Sequence, residues 1–451
     1  RKDVVKLLAR YTGKSEAEIR RLMKEAATAA LEAEDEIYYH YGKEPTPFEE
    51  SAPLQNLLNA GYRQTAGSFS NLTATTANTV SGAFEQALDR AWLQVSSGAF
   101  DYKTAVKRAV DGLADSMPYV TYPSGHRDTL EVACRRAVLT GVNQTGAKLQ
   151  EARMDEMGAS FVEVTAHGGA RPSHAVWQGK RYHRGGAADY LGQHYEDFES
   201  ATGYGTGAGL CGWNCRHTFF VVFPELGSPP AWTQESLEAL NARNIEYDGR
   251  LYTRYEISQM QRARERAVRK WKRRYLAEDA AGADTTASAV KLRQARQSLA
   301  DFTRATGGRV DSARTSVHGF GRSEASKASY AARKQEQFNA ANTELQQMRE
   351  AGTIKAKGRL IESPSAPNEI NFASDHVLQR WAERGMGPMD AERIIRSSKV
   401  AMSQRNGTQT CYYSELGFVA IGQDGNVSSI GPLDEGGKKL MEVVKKHGIP
   451  H

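Results

Sequence analysis

The sequence predicts an α+β multidomain protein. It has a mostly helical N-terminal part, an α+β central domain, long charged helices, and a small C-terminal module of two helices followed by antiparallel sheet. Three observations predict this. The chain has 451 residues, more than one hydrophobic core ordinarily serves, so two to four modules are expected. Apolar residues recur at helical period over the first third and again after 233, whereas alternation and turn residues dominate from 158 to 232 and after 400. The hydrophobic share is 40% against 25% charged, with a mean hydropathy of −0.59, which suits extended helices and partner-facing surfaces better than one large core.

In the N-terminal region, 1–157, Ser15 and Glu18 form a capping box, the hydroxyl accepting from the first-turn amides and the carboxylate reaching back. Ile19, Leu22, Met23 and Ala26 follow at helical spacing. A loop over Lys43–Pro47 precedes a small-residue stretch whose Phe69, Leu72, Val80, Phe84 and Leu88 line a helix face. Tyr122–His126 is a turn, and Leu130–Leu149 resumes a helix. The central region, 158–232, has strand alternation over Ser160–Val164, an apolar strand at Thr218–Phe223, and Gly-rich loops between them. Region 233–354 is helical, highly charged and poor in large apolar residues, with a break at Ala280–Ala289, which reads as long exposed helices. Residues 355–369, with Pro364 and Pro367, read as a linker. The module 370–451 begins with helices Asp375–Gly385 and Pro388–Ile395. Hairpins follow across Gln404–Gly407 and Gln423–Asn426, where Asn-Gly and Asp-Gly are strong turn signals.

Composition excludes some classes. No run of about 18 uncharged apolar residues exists to span a bilayer. The first residues, Arg1-Lys2-Asp3-Val4-Val5, lack the apolar stretch of a signal peptide, and the missing initiator Met suggests a trimmed or processed start. Four cysteines (Cys134, Cys211, Cys215, Cys411) in so long a chain argue against a disulfide framework and for synthesis in a reducing compartment. No cofactor motif is present: there is no phosphate loop, nucleophile elbow or metalloprotease helix.

Three groups of residues can carry chemistry. Thr165–His217 holds five of the eleven histidines and two of the four cysteines. Cys211, Cys215 and His217 offer three zinc ligands, with His167, His174, His183 or His194 to complete a tetrahedron. The same residues also read as architectural groups that satisfy buried backbone in a loop-heavy fold, and catalysis is a third reading. Arg243–Tyr275 carries eleven Lys/Arg against four acids, a local +7 beside a whole-chain +6. Its Arg262, Arg264, Arg266, Arg269, Lys270, Lys272, Arg273 and Arg274 suit either phosphate contacts or a solvated ion-paired face, with Tyr252, Tyr255, Trp271 and Tyr275 as stacking surfaces. Finally, His376, Arg380 and Arg384 fall at i, i+4 and i+8 along one helix face. A His with two Arg is a workable metal-free endoribonuclease set, with Ser403, Thr408, Tyr412 and Ser414 on the adjoining hairpin to complete it. The alternative is a surface charge cluster above a buried Trp381 and Leu378.

Several collinear segments resemble the tailed-phage minor capsid protein 2 family. They are Arg10–Ser15, Leu57–Tyr62, Phe69–Thr73, Ser97–Tyr102, Tyr122–Asp128 and Arg136–Gln144, and the set continues with His167, Arg171, His174, Trp177, Gln178 and Gly179. Asn214-Cys215-Arg216-His217 resembles the signature of the related Mu F-type head-morphogenesis proteins. The resemblance implies a virion head component of a phage or prophage, made in the bacterial host cytoplasm, acting in head assembly near the portal in multiple copies. Its implied partners are the portal and major capsid proteins, with packaged DNA reached through Arg243–Tyr275. The C-terminal His376-x3-Arg380-x3-Arg384-Gly385 resembles the barnase–EndoU–colicin–RelE group of RNases. That resemblance implies the competing reading, a capsid-delivered polymorphic toxin acting on host RNA.

Overall fold

The computed structural model describes residues 16–65, 119–121, 127–317, 319–355, 357–364, 370–372 and 375–450. It is α+β, as the sequence predicts. The chain forms two compact units, Arg1–Ala283 with Gln294–Gly321, and Asp284–Arg293 with Arg322–His451. The capping box at Ser15, the helix face from Phe69 to Leu88 and the turn at Tyr122–His126 lie outside the described residues.

In the first unit, helix α1 (Glu16–His40) and helix α2 (52–65) pack on α3 (Leu130–Met157), which follows the hairpin β1 (Tyr119–Thr121) and β2 (Arg127–Thr129). Leu31, Leu54 and Leu149 meet in a small core where the three helices converge. The α2–α3 crossing interlocks two Gly/Thr pairs. A Cβ on Gly61 would collide with Thr145, and one on Gly141 would collide with Thr65. Each threonine hydroxyl donates to the glycine carbonyl one turn earlier on its own helix, at 2.9 Å for Thr65 and 2.7 Å for Thr145. Glycine is therefore required where the two backbones approach.

The far end of α3 docks onto a three-stranded antiparallel sheet in which β3 (Phe161–Val164) lies between β4 (Arg181–His183) and β7 (Phe219–Val221). The α4 turn (Pro172–Ala175), the hairpin β5–β6 (Ala188–Tyr190, Gln193–Tyr195) and α5 (Phe198–Thr202) fill the loops around it. Gln150 Nε2 donates to the Phe219 carbonyl at 2.9 Å, and its Oε1 accepts from Thr218. Tyr38, Met154, Val162, Val164, Tyr182, Phe198, Phe219 and Val221 form the main core. Helix α6 (Gln234–Asn241) and hairpin β8–β9 (Ile245–Tyr247, Arg250–Tyr252) lead to α7 (Arg254–Ala280), opened by a Thr253–Glu256 capping box. Helix α8 (Thr286–Ala305) begins in the second unit and ends in the first, and the short α9 (Ser312–Thr315) returns to α7.

The second unit is built on a five-stranded antiparallel sheet, β10 (Arg359–Glu362), β11 (Val400–Gln404), β12 (Gln409–Ser414), β13 (Gly417–Gly422) and β14 (Val427–Gly431), in sequential order. Register puts Leu360, Met402, Cys411 and Ala420 on one face, against α10 (Arg322–Glu350) and α13 (Glu435–Lys446). The other face carries Ile361, Ala401, Tyr412, Val419 and Ile430 and packs on α11 (Asp375–Glu383) and α12 (Pro388–Ser397). Both hairpin turns fall where Asn-Gly and Asp-Gly put them. Two expectations change. The stretch 355–369, read as a linker, contains strand β10, which pairs with β11 because Leu360 and Ile361 supply one residue to each core. Within the charged helical region, α10 is not a wholly exposed rod, since Phe338, Ala341 and Leu345 sit at i, i+3 and i+7 and are buried against the sheet.

Candidate metal centre

The chain's densest group of ligand-type side chains folds into one cluster on the first unit. His174 sits on the one-turn helix α4, placed there by Pro172 at its first turn. Cys215 and His217 end the Gly-rich loop that runs into β7. Asn143 on α3 clamps this loop end by donating to the carbonyls of Cys215 and His217 at 3.3 and 3.2 Å. Cys211 and Asn214 take left-handed backbone conformations, φ 58° and 55°, an uncommon state for a non-glycine residue that the surroundings must hold. Arg171 Nη2 donates to the Trp213 carbonyl at 3.0 Å, tying the loop back to the start of α4.

Cys215 Sγ lies 3.7 Å from His174 Nδ1 and 3.6 Å from His217 Nδ1, and all three ligand atoms are within 4.8 Å of one another. Both ring tautomers are fixed from outside. His174 Nε2 meets the Ala208 carbonyl at 2.9 Å, and a carbonyl can only accept, so Nε2 carries the proton. His217 Nε2 meets Gln178 Oε1 at 2.9 Å, and the same oxygen accepts from the His167 backbone N–H at 3.1 Å, which fixes the orientation of the amide. His217 is held to about 3, well below the ordinary histidine range, by burial first and then by the neighbouring imidazoles and Arg171. His174 is lowered too, mainly by burial. Both rings are therefore neutral near pH 7, and each turns a bare Nδ1 lone pair toward Cys215. His167 stacks on His217 with centroids 4.3 Å apart, and its Nε2 is buried without a hydrogen-bond partner. Trp177 closes the cluster edge-on to His217 at 4.9 Å.

The sequence-derived zinc set needs correction. Cys211 is buried with its sulfur on the His217 carbonyl at 3.6 Å, the carbonyl that Cys215 Sγ also approaches at 3.8 Å, and it is not in the cluster of mutually close ligand atoms. His174, one of the four histidines offered to complete the set, is the one that lies with Cys215 and His217. His183 and His194 stay outside, the first on the Gly186 carbonyl and the second paired with Asp189 at 2.7 Å. Asn214 and Arg216 are exposed. Gln178 and Asn143, which orient the cluster, were not singled out for that role, although both stand inside the family motifs.

The basic stretch forms α7 and the approach to it. Arg264 lies 4.0 Å over the Phe302 ring and donates to Tyr247 Oη. Arg269 donates to the Arg314 carbonyl, and Lys272 donates to that of Thr315 at 2.7 Å. Burial, with Arg296 and Arg269 alongside, brings Lys272 down to about 8. Arg274 pairs with Glu278 at 3.3 Å and, with Lys270, flanks the Trp271 ring. Arg262 and Arg273 are half-buried, whereas Arg266 and Lys270 are exposed.

In the second unit, His376 and Arg380 stand on α11, but their side chains lie outside the described residues. Arg384 donates to the Ile430 carbonyl at 2.9 Å. Tyr412 and Ser414 are 2% and 7% exposed, with Tyr412 inside the core beneath α11 and α12. Strand β12, which carries both, is flanked by β11 and β13.

Two of the family motifs, at His167–Gly179 and Asn214–His217, meet in one cross-braced cluster. The profile described as Phage minor capsid protein 2 matches residues 1–304, more than half of the chain, and the chain belongs to that family. The second unit's sheet lies beyond this match. No curated protein and no solved structure matches the chain. Among the described residues, no helix is long and apolar enough to cross a membrane.

Proposed function

We propose that this virion protein acts in head assembly next to the portal, in several copies per head, with the portal and major capsid proteins as its partners. It is made in the bacterial host cytoplasm and built into the particle from there. The observation that carries this reading is Trp213. It is 60% exposed on a loop that Arg171 and Asn143 hold in place. A large aromatic presented on a pre-ordered loop is what an interface anchor requires, because little ordering entropy remains to be lost on docking. Co-expression with the portal and major capsid proteins of the same phage, followed by sedimentation of procapsids, tests it. The full chain is expected to co-sediment, and Trp213→Ala to weaken association by about 2 kcal/mol or more, roughly 30-fold. A full chain that associates with neither portal nor procapsid overturns the reading.

Contact with packaged DNA is a smaller part of this proposal. If all eight basic residues from Arg262 to Arg274 met phosphates, log K would fall with log salt at a slope of about −7. If only the exposed Arg266 and Lys270 do, the slope is about −2. We expect the second value.

A second reading, a toxin whose C-terminal module cuts RNA, is favoured by the order of its elements, two helices and then antiparallel strands. If the full chain leaves RNA intact and His376→Ala does not alter host growth, this reading is lost.

A further inference from the structure

The geometry points to a zinc-binding site at His174, Cys215 and His217, with His167 as the further imidazole at its edge. Bond lengths of about 2.3 Å for Zn–S and about 2.05 Å for Zn–N, at a tetrahedral angle, put sulfur and nitrogen about 3.6 Å apart. The two S···N separations here are 3.6 and 3.7 Å. Hydrogen bonding alone accounts for this arrangement poorly. Two Nδ1 lone pairs face one sulfur, and a thiol has one proton, so one lone pair is left without a donor. A divalent cation satisfies all three atoms together, with the sulfur bound as thiolate. The outer partners match what metal-bound imidazoles use, since each ring donates its other N–H to an oxygen, that of Ala208 or that of Gln178. A mixed N and S donor set selects zinc over magnesium or calcium. His167 is stacked on His217 and stands outside this set, which leaves the fourth position to a ligand from solvent. The metal would join α4 to the loop end before β7, two of the segments that carry family motifs.

The full-length chain tests this. Purified without chelator from zinc-supplemented medium, it is expected to hold about one zinc per chain by elemental analysis. After stripping, Co(II) should give a cobalt–thiolate charge-transfer band that Zn(II) displaces. Cys215→Ser should abolish the band and Cys211→Ser should keep it. Gln178→Leu should lower zinc affinity about 10- to 100-fold, as loss of an outer-shell partner does. Zn(II) should also protect Cys215 of the unmutated chain from iodoacetamide, read by peptide mass spectrometry, so a variant that fails to fold does not spoil the test. No retained zinc together with no cobalt–thiolate band, a band that survives Cys215→Ser, or alkylation of Cys215 that zinc leaves unchanged would each overturn the assignment.

Discussion

Glu163 has the register of a surface residue and the surroundings of a core one. Strand alternation sets it opposite Val162 and Val164, yet it is fully buried, with Oε2 on Arg181 Nε at 2.8 Å and Oε1 accepting from the Ala231 backbone at 2.7 Å. A period-2 pattern tells which residues share a face and is silent on whether a later segment covers the second face. Removing one member of a buried pair leaves the other charge uncompensated, so Glu163→Ala is expected to cost about 3–5 kcal/mol. Glu163→Leu combined with Arg181→Met should recover much of that loss. Urea unfolding of the two variants measures it, and a single substitution costing under about 1 kcal/mol would refute the buried-pair account. The cluster was legible at the same scale only in part. Density of His and Cys marked Thr165–His217 and put His174 among the candidates, but which of them meet depends on how the loop from Cys211 to His217 folds back onto α4, a non-local contact that spacing does not encode.

Individual helices and strands hold two features with measurable consequences. On α1, burial raises Glu34 to about 8 from an ordinary 4.5, and neither carboxylate oxygen has a hydrogen-bond partner. Folding therefore favours its protonated form. The stabilisation is fully present below about 4.5, shrinks as pH rises from there, and is gone above about 8. His217 runs the opposite way between about 3 and 6.5, which overlaps the lower part of that window, so the comparison must be with a variant in which only Glu34 is changed. Glu34→Gln is expected to gain stability over the parent as pH rises from 5 to 8, seen in melting temperature. A constant difference across that range would refute the raised carboxyl. In the other unit, β10 is the sheet edge, and Asn342 of α10 caps it, donating to the Leu360 carbonyl at 2.8 Å and accepting its N–H at 2.7 Å. An unpaired edge amide is both costly and an aggregation template. Asn342→Ala is expected to destabilise the unit by about 1–3 kcal/mol and to raise amide exchange at Leu360, measured by hydrogen–deuterium exchange. The hairpins were legible because Asn-Gly and Asp-Gly encode local geometry. Strand β10 was not, since it is four residues long beside Pro364, and its pairing with β11 is non-local. Helix α13 was also missed, because Gly436 and Gly437 in its first turn mask a helix that Asp434 caps.

For the molecule as a whole, the α+β character followed from periodicity, whereas the division into units depends on which charged helix packs where. Helix α10 has a sparse apolar face, and only Phe338, Ala341 and Leu345 mark the side that meets the sheet. A few well-spaced residues can dock a helix whose composition reads as solvent-exposed, because the remaining long side chains lie along the surface. The cores of the two units share no residue: Tyr38, Met154, Phe198 and Phe219 anchor one, and Leu345, Leu360, Met402 and Leu440 are in the other. Separate cores predict separate melting transitions. Leu345 is fully buried, so Leu345→Ala removes its contacts and leaves a cavity at a cost of about 2–5 kcal/mol. In a unit of this size each kcal/mol moves the midpoint by roughly 3–4 °C, so one transition should fall by about 10 °C while the other stays put. Differential scanning calorimetry decides the matter, because α8 has one end in each unit and is the element that would couple them. If its two halves melt with their own units, the second transition moves alone. If α8 transmits the loss, both fall together, and the picture of two independent cores fails.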